Sequence, residues 1–163
     1  MFLVSNLSSA GTAALLAEEA AVIQAMAAIM NQESTRPYDF LYFESDFAAR
    51  PHIASSMANP DRTQFCGLSR DEGLNLVKQL AQLSSEPVVF DKDVAKPAGM
   101  AIGHKRLERF RYLSLSRVVF APDKLHAWLA ADLNGETGAV YRLDLVDGTW
   151  KKSERCGGWL RAE

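Results

Sequence analysis

Hydrophobic and polar residues alternate along the C-terminal third of the chain, and this alternation predicts a β-meander over residues 112–155. In the run 125–133 every second residue from Leu125 is apolar, whereas His126, Trp128 and Asp132 fall on the alternating side. Four such runs occur, at 112–120, 125–133, 139–146 and 149–153. A period of two with one apolar face is typical of half-buried antiparallel strands.

Turn-forming residues separate these runs. Proline presets φ for a tight turn in the segment 122–124, and Asn134 begins a longer predicted loop that ends at Gly138. Asp147-Gly148 is a strong signal for a two-residue hairpin. Each predicted strand is therefore joined to the next by a short connection, as a meander requires.

The pattern upstream of the meander changes to a helical period. An apolar stripe predicts a helix over residues 12–30 with Thr12 as its N-cap, and a second helix over 70–83. The second helix should open with a capping box, because Ser69 is followed three residues later by Glu72. Glu19 lies at the centre of the apolar stripe of the first helix, where a carboxylate needs a partner.

Weaker patterns occupy the rest of the chain. Strands are predicted at 38–43 and 88–90, and a helical turn at 104–110. Segments 46–67 and 91–103 read as irregular connections whose role the sequence does not define. Together the elements predict an α+β fold, in which both main helices pack on one face of a four- to five-stranded antiparallel meander.

Length and charge narrow the classes of protein. The chain has 163 residues, of which 48% are hydrophobic, and this suits one domain spanning residues 1–163. Its net charge of −2 argues against a nucleic-acid binder. No apolar run is long enough for a membrane span, since Glu18 and Glu19 interrupt the Ala-rich N-terminal segment. Oligomeric state is not encoded in any pattern we find.

The two cysteines bear on the compartment. A disulfide between Cys66 and Cys156 would close a loop of about ninety residues and would fit an exported, periplasmic protein whose leader has been removed. Two unpaired thiols would instead fit a cytoplasmic protein. We lean slightly towards the disulfide, and both alternatives stay open at this point.

A resemblance covers the first helix and the last fifty or so residues of the chain. The first helix carries Glu18-Glu19, and the meander carries the motif LSRVVF at 115–120, then DGTW at 147–150 and a final Trp159. These features resemble a loose group of small uncharacterised bacterial proteins, many of them exported or lipid-anchored. The resemblance implies the helix-and-meander fold, and it supplies no catalytic residue.

Glu19 is the most unexpected residue, and Arg117 is its predicted partner. Arg117 lies on the opposite side of its strand from Val118 and Phe120, so it too can point into a covered layer. We favour a structural ion pair over a catalytic acid or base, because one carboxylate without a placed nucleophile is not an active site.

Other chemistry finds little support. The histidines His52, His104 and His126 share no metal-ligand spacing, and we expect no metal, cofactor or catalytic residue. A basic stretch with interleaved aromatic residues over 105–117 suits either a single-stranded nucleic acid or an acidic protein surface. We favour a third interpretation, a solvated edge strand whose charges discourage pairing.

Two functional hypotheses follow. The first is a non-catalytic binding protein, such as an inhibitor or immunity-type partner of another protein, which uses the open face or edge of the sheet. The second is a small enzyme or ligand-binding protein with a pocket between helix and sheet around Glu19. The candidate binding residues are Glu19, Arg117, Trp128, Tyr141 and Trp150. Whether the protein is an enzyme is undecided, and we lean towards a binding role.

Overall fold

A computed structural model describes residues 13–14, 17–43, 64–84, 88–89, 100–102, 109–134 and 137–160. The two helices are α1 (Ala17–Glu33) and α2 (Arg70–Ser84). The strands before the meander are β1 (Ala13–Ala14), β2 (Phe40–Phe43), β3 (Gln64–Phe65), β4 (Leu68–Ser69), β5 (Val88–Val89) and β6 (Ala101–Ile102). The remaining strands are β7 (Tyr112–Leu115), β8 (Val119–Phe120), β9 (His126–Leu133), β10 (Thr137–Val146) and β11 (Thr149–Leu160).

The main sheet is a meander extended by two further strands. Its order is β11-β10-β9-β7-β2-β6, and β8 also pairs with β9. Strands β7 to β11 pair antiparallel, whereas β2 lies parallel to both β7 and β6. The predicted α+β fold with an antiparallel meander is confirmed, and the predicted strand near residue 40 joins this sheet.

Helix α1 covers the first face of the sheet. Val22, Ile23 and Met26 are fully buried against alternate residues of the strands, among them Leu115 and Leu129. The predicted start of this helix at residue 12 is wrong, because α1 begins at Ala17, and Thr12 itself lies outside the described residues. Ala13 and Ala14 instead pair in parallel with Val88 and Val89, so these two residues are extended and not helical.

Helix α2 covers the opposite face, and the prediction of both helices on one face is wrong. Leu76 and Leu80 of α2 form a second core with Trp128, Ala130 and Val140. In β9 these residues alternate with Ala127, Leu129 and Ala131, which belong to the core under α1. The alternating pattern in sequence suggested one apolar face and one polar face. The second face nevertheless carries enough apolar residues at its centre to bury a helix.

The capping box is confirmed at the start of α2. The Ser69 backbone N–H donates to Glu72 Oε2 at 2.7 Å, and the Glu72 N–H donates to Ser69 Oγ at 3.3 Å. These two hydrogen bonds lower the pKa of Glu72, and slight desolvation opposes them. The carboxylate of Glu72 therefore stays charged at neutral pH.

The predicted single strand over 112–120 is two strands, β7 and β8. At the break, Ser116 Oγ accepts a hydrogen bond from Ala130 N–H at 2.8 Å and donates to the Arg117 carbonyl at 2.8 Å. A serine side chain thus replaces a backbone group in the ladder, and the pairing with β9 resumes only at Val119.

The other meander boundaries also differ in detail. β11 is longer than the predicted run 149–153 because it follows β10 along its whole length across two register shifts. β10 starts at Thr137, so the connection after Asn134 is shorter than predicted. The turns at 122–124 and 147–148 are present as predicted, and Asp147 and Gly148 have φ of 51° and 73°, which suits a type I′ hairpin.

Some predictions fall outside the described residues. These are residues 46–63 of the segment 46–67, residues 91–99 of the segment 91–103, residues 104–108 of the predicted helical turn, and His52 and His104. The described ends of the two segments are not irregular, because 64–67 contains β3 and a turn and 100–102 contains β6. Within the described ranges, no helix is both long and apolar enough to cross a membrane.

Candidate functional site

The predicted partners Glu19 and Arg117 form an ion pair under α1. Arg117 Nε donates to Glu19 Oε1 at 2.6 Å, and Arg117 Nη2 donates to Glu19 Oε2 at 3.0 Å. The backbone N–H of Val118 donates to the same Oε1 at 3.0 Å. Glu19 therefore also satisfies a backbone group at the break between β7 and β8.

Burial makes this pair structural in character. Glu19 is 3% exposed, and its two carboxylate oxygens receive three hydrogen bonds. Among the described residues, Arg117 Nη1 is a buried donor without a hydrogen-bond partner. The pair docks the first turn of α1 onto the sheet, and Glu19 presents almost no surface to solvent.

A groove lies on the second face, between α2 and the sheet. Its volume is about 550 Å³, within the range that ligand sites occupy. We call it the helix–sheet groove. Its α2 side is formed by Glu72, Asn75, Leu76 and Gln79, and its other lining residues are Gly67, Leu68, Val119, Phe120, Ala121, Pro122, His126, Trp128 and Arg142.

The spacing of residues 72, 75, 76 and 79 explains the α2 wall of the groove. Positions separated by three and four residues lie along one stripe of a helix. Leu76 is buried at the base of the stripe, whereas Glu72, Asn75 and Gln79 are exposed. The groove therefore has an apolar base, and charged and amide groups lie on its helical rim.

Trp128, at the base of the groove, carries a buried donor that no described residue satisfies. The residue is 6% exposed, and among the described residues its indole Nε1 has no hydrogen-bond partner. A buried N–H without an acceptor costs free energy comparable to a lost hydrogen bond. The same atom is closed to solvent in the free protein, so an acceptor on a molecule in the groove that Trp128 lines would remove that cost once the indole ring turns its N–H towards it.

Three polar residues of β9 and β10 form a cluster at one end of the groove. His126 Nδ1 lies 2.7 Å from Asp144 Oδ1, and Arg142 Nε donates to the same oxygen at 2.8 Å. Arg142 Nη2 lies 3.1 Å from His126 Nδ1. The cross-strand register explains the contact, because Asp144 pairs with His126 and Arg142 pairs with Trp128.

The cluster leaves the groove with little net positive charge. Partial burial would raise the pKa of Asp144, but hydrogen bonds from Arg142 and His126 and the attraction of the guanidinium outweigh it and lower the pKa. Asp144 is therefore ionised at neutral pH and neutralises Arg142. Asp144 does not itself line the groove, and among the lining residues the carboxylate is that of Glu72.

A disulfide holds the end wall of the groove. Cys66 and Cys156, 90 residues apart, form a disulfide with a Cα–Cα distance of 5.0 Å. Cys66 and Gly67 form the tight turn between β3 and β4, with φ of 50° and 74°. The bond therefore fastens this small hairpin, and with it Gly67 and Leu68, to strand β11.

Arg142 also contacts the hairpin turn. Its Nη1 donates to the Cys66 carbonyl at 3.3 Å. A Cβ atom built on Gly67 would meet the same Nη1 and push the end of the Arg142 side chain aside, and the positive φ of this residue favours glycine. The hairpin and the polar cluster thus fix each other.

The structure distributes the predicted binding residues over both faces of the sheet. Glu19 and Arg117 pair under α1, and Trp128 lies in the groove on the other face. Tyr141 belongs to the core on the α1 side, where it is 7% exposed. Trp150 is half-buried, with its ring centroid 6.0 Å from that of Phe120. The aromatic residues therefore do not form one surface.

Sequence reasoning missed most of the groove. His126 was placed on the same side of its strand as Trp128, but Arg142 and Asp144 were not connected to it. The signal was present, because Arg142 and Asp144 are polar residues two apart in a strand. The register between β9 and β10 brings Arg142 and Asp144 beside Trp128 and His126, and a single strand does not encode that register. The α2 side of the groove was missed because α2 was predicted to lie on the other face of the sheet.

Comparisons with known proteins yield no match. The chain matches no family model, no curated protein and no solved structure at a significant level. The resemblance to small bacterial proteins therefore stays a prediction, and function has to be argued from the geometry alone.

Proposed function

We propose that this protein is a non-catalytic binding protein that recognises another protein through the helix–sheet groove. The observation that carries the proposal is the indole N–H of Trp128, which is buried at the groove without an acceptor among the described residues. A ligand atom that accepts this hydrogen bond would remove a cost that the free protein bears.

The Glu19 carboxylate supports a binding role over an enzymatic one. A pocket reaching Glu19 from solvent would favour an enzyme or ligand carrier, whereas a dry ion pair favours a binding protein. Glu19 is 3% exposed and is held by Arg117 and Val118. The groove lies on the opposite face of the sheet, so it does not offer Glu19 to a substrate.

The free edge of β11 is a weaker candidate surface. Charged side chains, among them Lys151 and Arg155, are exposed along this strand, and two register shifts interrupt its pairing with β10. Charges and bulges are devices that prevent a sheet edge from pairing with another chain. The groove is therefore the better site for a specific partner.

The disulfide supports the idea of a protein that works outside the reducing cytoplasm. Disulfides persist in oxidising compartments and are rare in cytosolic proteins. An inhibitor or immunity-type partner of another bacterial protein in such a compartment would combine a rigid fold with a preformed groove. This form of the proposal predicts that the captured protein loses activity when the complex forms.

Affinity capture with a blocked groove tests the proposal. The parent, Gln79→Trp and Lys78→Trp variants are used as baits in lysate of the source organism, and bound proteins are identified by mass spectrometry. Gln79 lines the groove, whereas the neighbouring Lys78 is exposed and does not line it. A tryptophan at 79 fills the groove, and a tryptophan at 78 is the matched control.

The expected result is one stoichiometric protein held by the parent and by Lys78→Trp and lost with Gln79→Trp. A partner held equally by all three baits would place binding elsewhere on the molecule. A small molecule retained without a protein would contradict the proposed class of partner.

A further inference from the structure

We infer that the helix–sheet groove binds a short extended segment of its partner, in which a large apolar side chain stands next to a basic one. The inference rests on the proposed function and adds the chemistry of the recognised segment. Three features of the groove carry it: the unsatisfied donor, the apolar base and the charge of Glu72.

The apolar base selects a large hydrophobic side chain. Leu76, Val119 and Trp128 belong to one buried cluster, and all three line the groove. A side chain that covers them removes further apolar surface from water. The groove has the capacity for such a side chain together with the backbone that bears it.

The polar groups at the groove match a polypeptide backbone. Trp128 Nε1 offers one buried donor, and an amide carbonyl is a suitable acceptor. Asn75 and Gln79 lie on the rim, and each side-chain amide carries both donors and an acceptor, as a peptide group does. An extended segment presents its carbonyl and N–H groups to such partners along its length.

The charges favour a basic neighbour. The charge of Arg142 is compensated by Asp144 at 2.8 Å. Glu72 is ionised, because the hydrogen bonds of the capping box lower its pKa, and no ion pair to it is formed by the described residues. It lies one helical turn before Leu76 on the same stripe, so a cation beside the apolar side chain can reach it.

Peptide titration followed by nuclear magnetic resonance tests the inference. The probe is the capped hexapeptide Gly-Gly-Phe-Lys-Gly-Gly, compared with versions in which Phe is replaced by Ala or Lys by Glu. The readout is the indole N–H resonance of Trp128, identified by its loss in Trp128→Phe. Gln79→Trp serves as the blocked groove, and Lys78→Trp as the control.

The expected result is a saturable shift of the Trp128 resonance with the Phe-Lys peptide, in the parent and in Lys78→Trp. The Ala version should bind about tenfold more weakly or worse, given the lost apolar contact. The Glu version should bind about twofold to fivefold more weakly, with a difference that shrinks in high salt.

Equal affinity for the Lys and Glu versions, or no shift with any peptide at millimolar concentration, would overturn the inference. Either result leaves the proposed function standing if capture of a protein still depends on an open groove. Loss of that dependence would instead remove the proposed function itself. The two failures are therefore distinguishable.

Discussion

Glu19 and Arg117, 98 residues apart in sequence, join the first helix to the centre of the sheet through hydrogen bonds of 2.6 and 3.0 Å. The same carboxylate accepts from the backbone of Val118, where the strand is interrupted. The buried carboxylate of Glu19 thus balances the charge of the partly buried Arg117 and accepts a backbone N–H at the break between β7 and β8. The arrangement makes Glu19 a determinant of how α1 docks.

Replacing Glu19 by alanine should lower the free energy of unfolding by ~3 to 5 kcal/mol, because the buried Arg117 charge would lose its partner. Glu18→Ala is the matched control. Glu18 forms an exposed ion pair with Lys124 at 3.1 Å, and its loss should cost less than about 1 kcal/mol. Urea denaturation of both variants measures the difference, and a Glu19→Ala protein as stable as the parent would show that the pair is dispensable.

The disulfide should stabilise the fold and also strengthen ligand binding in the helix–sheet groove. Closing a loop of 90 residues is worth roughly 4.6 kcal/mol in the chain-entropy model. The double variant Cys66→Ser, Cys156→Ser should lose about that much and should bind the groove ligand more weakly, because Gly67 and Leu68 are no longer anchored. Reductant should change the parent in the same direction and leave the double variant unchanged. Full ligand affinity in the reduced protein would contradict this role of the hairpin.

Gly67 and Gly148 offer a matched pair of glycines. Both have positive φ, 74° and 73°, so alanine at either position should cost about 1 to 2 kcal/mol in unfolding free energy. At Gly67 the new Cβ would meet Arg142, whereas no described residue lies within 4 Å of a Cβ at Gly148.

The two alanine variants should therefore have similar free energies of unfolding but different pKa values for Asp144. Displacing Arg142 would remove a hydrogen bond that lowers the pKa of Asp144. The pKa of Asp144, followed by nuclear magnetic resonance, should rise in Gly67→Ala and stay unchanged in Gly148→Ala. An unchanged Asp144 in both variants would mean that Arg142 does not depend on the space at Gly67.

Acid should weaken the polar cluster. Because the pKa of Asp144 is lower in the folded protein than in the unfolded chain, its stabilising effect is fully present above the unfolded pKa of about 3.9. That effect is lost as pH falls through the folded pKa. Asp144→Asn should therefore be less stable than the parent at pH 7, and the gap should close in strong acid. A gap that stays constant down to pH 2 would show that the Asp144 carboxylate contributes nothing through its charge.

Local patterns predicted most of the elements. The period of two in 125–133, the hairpin at Asp147-Gly148 and the capping box of Ser69 and Glu72 all act through neighbours in sequence, and all are present. The sequence did not predict the break between β7 and β8. At this break the Ser116 hydroxyl, in place of a backbone carbonyl, accepts the hydrogen bond from Ala130 N–H, and this leaves the hydrophobic pattern unchanged.

The candidate site was less accessible to sequence reasoning. The pairing of Glu19 with Arg117 could be predicted, since a carboxylate on an apolar stripe needs a cation and Arg117 occupied a covered position. The groove could not, because it depends on which face α2 covers and on the register that sets Arg142 beside Trp128. Both are long-range properties that no short segment encodes.

Site-specific photo-crosslinking from the groove tests the central claim most directly. A benzophenone amino acid is placed at Gln79 or, as the control, at the adjacent Lys78, and each protein is irradiated with the captured partner. We expect a crosslink from position 79, mapped by mass spectrometry to one short segment of the partner, and little from position 78. Crosslinks from position 78 alone, or equally from both, would show that the partner binds outside the helix–sheet groove.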